Sequence, residues 1–515
     1  MAEKTGSLGG SPTPAASAAV VAAAVFAVFY LFSPPARFLQ WDDSKNLLDH
    51  TLWQGLSWAH LKWMWSTRHY GPWQPLSWWS WAVDYKLWGL NPDAFRRTNV
   101  ALHSLTAGLF LLACRRLLPR GSSNLFGAAG AALFFAVHPL RVESVVWITE
   151  RRDVLSGFFA VLSILAWLYD RRVASTIAFA GAALSKGTAV AVVPFLFIID
   201  TVVSRRDARR SVVSLLPHAV IGLFAACKNL GGFQTGELQG LSLALGDRLL
   251  VAGAGAWFYL SKTLLPVNLS PYYALPLNGN DIRLESCPGA LSALLVSAAC
   301  FHRKVRAWAA PAWLAYLVAL APVSGLLQNG RQSAADRYSY LSCMPFAVLY
   351  GMALVRLHAR RPRAAVGILL AAGIFFAGAT IAQSSYWRDD VSLWYRAVEM
   401  APDAYLPNSN LSVALLVAGR GEAAIPYLEA AIRLEPRDAE ARVNLAAVLA
   451  AKGEEPAAIR LFQEAVELRP SDPSFASARF NLGLLLLRQG RKSDGLAQMR
   501  EAVRLEPSLA RRLPH

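Results

Sequence analysis

Apolar runs long enough to cross a bilayer, about twenty residues each, recur through the first 385 residues. They lie near 15–34, 98–114, 124–140, 153–169, 212–227, 309–325, 340–356 and 364–383, and 173–203 holds two more, broken at Ser185-Lys186-Gly187. Basic blocks follow alternate runs: Arg115-Arg116 with Arg120, Arg171-Arg172, Arg205-Arg206 with Arg209-Arg210, Arg303-Lys304 with Arg306, and Arg356 through Arg363. Positively charged loops stay in the cytoplasm. The opposite loops then face out: 35–97, 139–152, 185–188, 228–248, 328–339 and everything after 384. An even number of spans is needed between Arg210 and Arg303. The run 249–266, with Trp257-Phe258-Tyr259 and prolines at 266, 271 and 276, is therefore read as interfacial or re-entrant, which leaves eleven spans. Residues 1–14 are small and polar and read as a disordered cytoplasmic tail. Ala15–Phe32 has only Lys4 before it as a charged flank and reads as an uncleaved first span rather than a leader.

After residue 384 the pattern changes to a repeat. Leu411, Leu445 and Leu482 share one phase, as do Gly419, Gly453 and Gly490, then Leu428, Phe462 and Met499, then Ala431, Ala465 and Ala502, and finally Pro436, Pro470 and Pro507. The first two units are 34 residues apart in each feature, and the third is displaced by three extra residues within 470–481. This is the tetratricopeptide period: two antiparallel helices per unit, small residues where they cross, Pro after the second. Trp394, Ala397 and Pro402 stand one period earlier and supply a half-unit. The fold class predicted is all-α: residues 15–384 a polytopic membrane helical bundle, residues 385–515 an extracytoplasmic α-solenoid.

Composition sharpens this picture. The chain of 515 residues is 55% hydrophobic with a net charge of +17. Its mean hydropathy of +0.33 is too high for a soluble protein of this size. The basic excess sits in the inter-span blocks, so it does not imply nucleic acid. The five Cys show neither CxxC nor paired spacing, so neither a disulfide framework nor a zinc site is indicated.

The candidate chemistry is in the outward loops. The first, 35–97, opens with Trp41-Asp42-Asp43 and carries ten of the seventeen Trp. Indole rings favour the bilayer interface, so the loop is read as lying on the membrane and holding an acidic pair there. The plainer reading is an anchor with solvated Asp. Tyr70-Gly71-Pro72 forms a rigid turn, and Asn99 and His103, four apart, share a helix face. His103 is by default a core histidine. The second loop is densest: His138-Pro139, Glu143, Trp147, Glu150, Arg151, Arg152 and Asp153. Either the arginines pair with the neighbouring acids, or their planar forks grip a phosphate. Lys186 interrupts an apolar stretch and must snorkel or pair. Asp336-Arg337-Tyr338 stands at the outer end of a span, preceded by Arg331. Acids and bases together at membrane level suit transfer from a phosphate-bearing lipid: an acid takes the acceptor's proton and the bases stabilise the departing phosphate. No Walker loop, GxGxxG, HExxH or GxSxG occurs.

The ordered set Trp41-Asp42-Asp43, Tyr70 with Pro72, Asn99 with His103, His138-Pro139 with Glu143, Trp147, Arg151 or Arg152 with Asp153, Ser185-Lys186, Asp200 and Arg337-Tyr338, ahead of tetratricopeptide repeats, resembles the transmembrane and tetratricopeptide-repeat-containing O-mannosyltransferases, in a bacterial version. The resemblance covers residues 35 to about 510. It implies a GT-C glycosyltransferase fold, a polyprenyl- or dolichyl-phosphate-linked sugar as co-substrate, and a Ser or Thr hydroxyl on an extracytoplasmic protein, held by the repeats, as acceptor. It implies a catalytic acid at Asp42 or Asp43, with Asp43 slightly favoured, and less securely at Glu143, Glu150 or Asp153. The expected phosphate ligands are Arg151, Arg152, Lys186 and Arg337. Tyr70, His103, His138, Glu150, Asp336 and Tyr338 are expected to line the cavity. A divalent cation among the acids is compatible with the sequence but not required by it. Two features depart from the pattern: Gly187 stands where a carboxylate is expected, and only three full repeats plus a half are present. The rivals are a glycan ligase or polymerase with a repeat tail, whose rich polar loops would come late in the chain, and a non-enzymatic scaffold, which would need neither the acidic pair nor the arginines.

Overall fold

The computed structural model describes residues 13–230, 243–276, 279–326 and 332–513. Most of the expected disordered tail, and Arg331, fall outside that set. Among the described residues the chain is all-α apart from one two-stranded antiparallel ribbon, Tyr273–Ala274 with Gln332–Ala334. It divides into two compact units, residues 1–389 and 390–515.

The first unit is a membrane bundle. Among the described residues six helices are long and apolar enough to cross a bilayer, and up to eight spans result if two bent pairs, Asn124–Ala136 with Pro139–Val146 and Asp336–Ser342 with Met344–Arg360, each count as one. The first helix starts at Pro14, where Thr13 accepts from the Ala16 N–H at 3.2 Å, a side-chain N-cap with proline at the first helical position. The region 173–203 forms two shorter apolar helices, Arg172–Ser185 and Gly187–Val203. The break between them is where the chain turns at Lys186. The run at 249–266 is a helix, Leu245–Leu264, and the short run at 288–301 extends to Gly279–Phe301; the two pack side by side. Helix Pro92–Leu117 is central, touching Pro14–Phe26, Asn124–Ala136 and Arg151–Leu168. Its polar face, Asn99 and His103, is fully buried.

The segment 35–97, expected to face outward, folds into two helices, Trp58–Ser66 and Pro75–Trp88, with its own core. Here the expectation for the Trp residues is only half met. Trp53, Trp73, Trp78 and Trp81 are buried, whereas Trp58, Trp65, Trp79 and Trp88 are exposed. Indole provides large apolar area with few rotatable bonds, which serves a small loop core as well as an interface.

The second unit is the repeat array, seven helices from Asp390–Met400 to Lys492–Leu505 and a final short turn, Pro507–Arg512. Gly419, Gly453 and Gly490 each hold positive φ, between 72° and 84°. Around each, the chain closes the same pair of bonds: Arg420 N–H to Leu415 O and Gly419 N–H to Leu416 O in the first, and the equivalents at Glu454 and Gly453, then at Arg491 and Gly490. This is the Schellman ending of a helix, which requires a residue tolerant of left-handed backbone. Ala424, Ala431, Ala458, Ala465 and Ala502 are wholly buried where paired helices cross. The three extra residues of the third unit form a tight turn, Pro473–Phe475, capped by Asp472.

Candidate active site

Asp42 and Asp43 end the link from the first helix and begin a short helical turn, Ser44–Leu48. Adjacent residues there point apart, and the two carboxylates have different environments. Asp43 is fully buried. It accepts from Leu39 N–H at 2.9 Å, Thr149 N–H at 2.9 Å and Thr149 Oγ1 at 2.5 Å. Both its oxygens are therefore engaged in tying the first outer loop to the second. Burial pushes its carboxyl up to about 7 against those donors. Asp42 has a side chain 34% exposed, with its Oδ2 3.9 Å from Arg152 Nη2. Burial raises its carboxyl too, while Arg152 and Arg337 pull the other way. The slight preference for Asp43 as the cavity-facing acid is thus reversed: the accessible one is Asp42.

The second of the segments expected to face outward is a chain of short helical turns, Pro139–Arg141, Val142–Val146 and Ile148–Glu150, leading into helix Arg151–Leu168. Glu150, wholly buried, is the hub. Arg152 grips it through Nε, at 3.1 Å to both oxygens, and through Nη2. Lys186 Nζ lies 3.3 Å from it and Arg337 Nε 3.5 Å. Burial opposes its ionisation, but Arg152 and Lys186 hold its carboxyl well below the usual range. Lys186 also bonds Asp153 at 2.5 Å, and Asp153 accepts from Ser144 Oγ at 3.0 Å. Glu143 accepts from the Arg337 backbone N–H at 2.8 Å and from its guanidinium. One continuous network therefore joins Asp42, Arg152, Glu150, Lys186, Asp153, Arg337 and Glu143.

A small cavity adjoins this network. Asp153, Lys186, Thr188, Arg337, Tyr338 and Tyr340 line its polar side and Ala319, Val323 and Leu341 its apolar side. A stacked pair, Trp41 on Trp147 at 4.7 Å, lies beside Arg337, whose guanidinium is 5.7 Å from the Trp147 ring, with Trp387 at 5.6 Å from Trp147. Aromatic faces next to cations and hydrogen-bonding groups are suited to polar rings with apolar faces, sugars among them.

Five expected residues lie elsewhere. Arg151 is fully buried and bonded to Asp84 at 2.6 Å, Phe95 O at 2.7 Å and Asn99 Oδ1. With those acceptors it is a structural ion pair and not a phosphate ligand. His103 sits between Tyr340 Oη, 2.7 Å, and Ala136 O, 2.9 Å, the core-histidine reading. His138 Nε2 contacts Thr263 O at 3.1 Å. Tyr70 is exposed, with φ +52°, its ring against His69. Asp336 is buried and accepts from Tyr273 Oη at 2.9 Å.

Thr149, Asp84, Thr188 and Tyr340 were not expected. Asp84 had a signal, a lone carboxylate in a Trp-rich helix. Tyr340 had none. The turn at Lys186 is fixed from the first outer loop: Ser77 Oγ donates to Ser185 O at 3.0 Å and Trp73 N–H to Asn229 Oδ1 at 3.0 Å. A side chain at Gly187 would meet Asn229 Nδ2 at 2.9 Å, which explains physically why no carboxylate stands there. Among the described residues no group of three or more His, Cys, Asp or Glu could hold a metal ion.

Comparison with known proteins agrees with both units. A tetratricopeptide repeat family model matches residues 410–473 and 471–510. The protein O-mannosyl-transferase tmtc2 of Xenopus laevis is 33% identical over 162 residues, covering 29% of this chain and 18% of that protein. Protein O-mannosyl-transferase TMTC3 of Mus musculus is 29% identical over 136 residues, 24% of this chain and 14% of that protein. A Caenorhabditis elegans protein O-mannosyl-transferase is 23% identical over 386 residues, 72% of this chain and 55% of that protein. The chain thus spans less than two thirds of the length of these relatives. Among solved structures, MamA is 21% identical with a TM-score of 0.22, covering 31% of this chain and 88% of that one. YrrB, a tetratricopeptide protein with an unusual peptide-binding site, is 18% identical with a TM-score of 0.22, covering 42% and 98%. With helices suited to a membrane and a tetratricopeptide array, the chain is similar over part of its length to these tetratricopeptide-repeat-containing O-mannosyl-transferases.

Proposed function

We propose that this chain is a GT-C-type membrane glycosyltransferase that moves a sugar, mannose, from a polyprenyl-phosphate donor to a Ser or Thr hydroxyl of an extracytoplasmic protein. The observation that carries the reading is the cavity in which Lys186 and Arg337 face an apolar wall of Ala319, Val323 and Leu341. A donor of this class has a phosphate and a hydrocarbon chain joined end to end, and this cavity offers a partner for each. The relatives' name, O-mannosyl-transferase, supports the sugar and the acceptor.

In this reading Asp42 is the general base. It takes the proton of the acceptor hydroxyl as the oxygen bonds to the anomeric carbon. The bond between that carbon and the phosphate oxygen breaks, its electron pair stays on the phosphate, and Lys186, Arg337 and Arg152 stabilise the charge. Attack opposite the leaving group inverts the anomeric centre. Glu150 holds the three cations together against their mutual repulsion, so the phosphate site is organised before the donor arrives. Glu143 and Asp153, paired with Arg337 and Lys186, orient those cations and are not bases. The N-terminus is cytoplasmic, and the active site and the repeats face the other side, where the repeats hold the acceptor.

The test is transfer of radiolabelled mannose from polyprenyl-phosphate-mannose into membrane protein by the purified chain, run beside the glucose and arabinose donors. Transfer from the mannose donor, abolished in Asp42→Asn, supports the reading. Transfer to a glycan with none to protein would favour the ligase alternative, and no transfer from any donor would refute both.

A further inference from the structure

Three charged residues line the cavity that carries the proposed function: Asp153, Lys186 and Arg337. Its two cations are not held alike. Arg337 grips Glu143 with its guanidinium and its backbone N–H, and its Nε lies 3.5 Å from Glu150. A planar fork spread over two carboxylates is fixed in place. Lys186 is a point charge on a flexible stem. Its Nζ sits 2.5 Å from Asp153 Oδ1 and 3.3 Å from Glu150 Oε2, at the break between helices Arg172–Ser185 and Gly187–Val203. Of the two, Lys186 is the cation that can turn toward a guest.

The acids differ too. If Lys186 turns away, Glu150 keeps Arg152 and Arg337, Glu143 keeps Arg337, and Asp42 keeps Arg152 and its contact with solvent. Asp153 has Lys186 as its one ion-pair partner among the described residues, and its side chain is buried. Its second oxygen accepts from Ser144 Oγ at 3.0 Å, a neutral donor. The other titratable groups within its reach are Glu150, which repels its charge, the phenol of Tyr340, and Arg141, which pairs with neither Asp153 nor Asp336. Within the ion-paired network four carboxylates, Asp42, Glu143, Glu150 and Asp153, face three cations, Arg152, Lys186 and Arg337, which leaves a net charge of −1. Arg141 and Asp336, just outside it, add one charge of each sign. A phosphodiester brings a second negative charge into the same enclosed place. Burial and a like charge nearby both disfavour an ionised carboxylate.

We infer that a lipid phosphodiester binds here by exchange: Lys186 turns from Asp153 to the phosphate, and Asp153 takes up one proton from solvent on the oxygen that Lys186 vacates. The inference rests on the proposed reading of this cavity as the donor-phosphate site. The protonated Asp153 keeps its bond from Ser144 on one oxygen and presents an O–H to the phosphate with the other. A group that would repel the donor thereby becomes a hydrogen-bond donor to it. As the bond from the anomeric carbon breaks and its electron pair stays on the phosphate, that O–H and Lys186 both face the growing charge. Asp42 remains the base for the acceptor hydroxyl.

The test uses the full chain in detergent and a polyprenyl methyl phosphate, a diester that stays a monoanion around neutral pH, so that any proton taken up goes to the protein. Calorimetric titration in buffers of different ionisation enthalpy reads the protons bound per ligand, and Kd is followed between roughly pH 6 and 9. Uptake approaching one proton per ligand is expected, with a Kd that rises about tenfold per pH unit on the alkaline side. In Asp153→Asn the uptake should vanish, and Kd should stay near its wild-type acid value at every pH. If that variant does not fold, the wild type decides: the ligand-induced infrared difference spectrum should gain a protonated-carboxyl band, and the band should persist in Asp42→Asn. Binding without uptake, an uptake that survives Asp153→Asn, or a band lost in Asp42→Asn would overturn the inference and leave the donor-site reading standing. No binding of the diester at any pH would overturn both.

Discussion

Asp42 and Asp43 share a sequence position and a charge, yet replacing each by Asn is expected to damage different things. Asp42 has one ion-pair partner, Arg152 at 3.9 Å, and a side chain about one third open to solvent. Its loss therefore costs the fold little, roughly 0–1 kcal/mol for such a pair. As the general base its loss lowers turnover by about 10²–10⁴-fold, which corresponds to about 2.7–5.5 kcal/mol of transition-state stabilisation. Asp43 accepts three hydrogen bonds in a fully buried site. An amide presents one oxygen and one NH₂ to that ring of donors, so one N–H must face another. Hydrogen bonds to a charged acceptor are worth about 1.5–3 kcal/mol each and a buried clash of donors about as much, so Asp43→Asn should destabilise by roughly 2–4 kcal/mol. The assay is mannose transfer per folded molecule, measured with the unfolding midpoint of each variant in the same detergent. Asp42→Asn should be stable and inactive, Asp43→Asn unstable but active for as long as it stays folded. Near wild-type turnover in Asp42→Asn would refute the assignment of the base. A stable, inactive Asp43→Asn would move it to the neighbouring residue.

The paired arginines should separate in the same way. Arg151→Met leaves Asp84 buried without its partner and should cost roughly 3–5 kcal/mol of stability in denaturant unfolding, whereas Arg152→Lys keeps the charge, loses the planar fork and should raise the KM for the lipid donor about tenfold or more with folding intact. Glu150 is held below its ordinary range in the folded chain, so its stabilisation is full above the unfolded carboxyl value, about 4.3, and is lost as pH falls below it. Glu150→Gln should therefore be less stable than wild type at pH 7 and show a flatter decline in acid, read from midpoints across pH. The final basic block, Arg356 through Arg363, precedes the last span, so a reporter active only in the cytoplasm, fused after the repeats, should stay silent, and a bright signal would place the array on the wrong side. Gly453→Ala should cost the array roughly 1–2 kcal/mol, because its φ of +84° is unfavourable for any side chain, and a change within error would remove the left-handed ending from the account of the repeats.

What the sequence disclosed followed from how local each signal is. The repeat array was legible because its spacing rule is enforced by backbone: a left-handed ending must be Gly, a close crossing must be Ala, and both recur in phase. The spans were legible in part, because apolar length is a local property: among the described residues Asn280–Phe301 is long and apolar enough to cross a bilayer, and Leu245–Leu264, read as interfacial or re-entrant, is not among such helices. The membership of the charged cluster was largely legible, since acids and bases at outer span ends have few other uses. Which member does what was not, because roles are set by partners distant in the chain. Arg151 and Arg152 are neighbours, but on a helix they point about 100° apart, and their acceptors come from different distant places earlier in the chain: Asp84, 67 residues back, and Asn99, 52 back, for one, and Asp42 for the other. Asp42 and Asp43 divide for the same reason, since Thr149, 106 residues on, claims one and leaves the other beside Arg152.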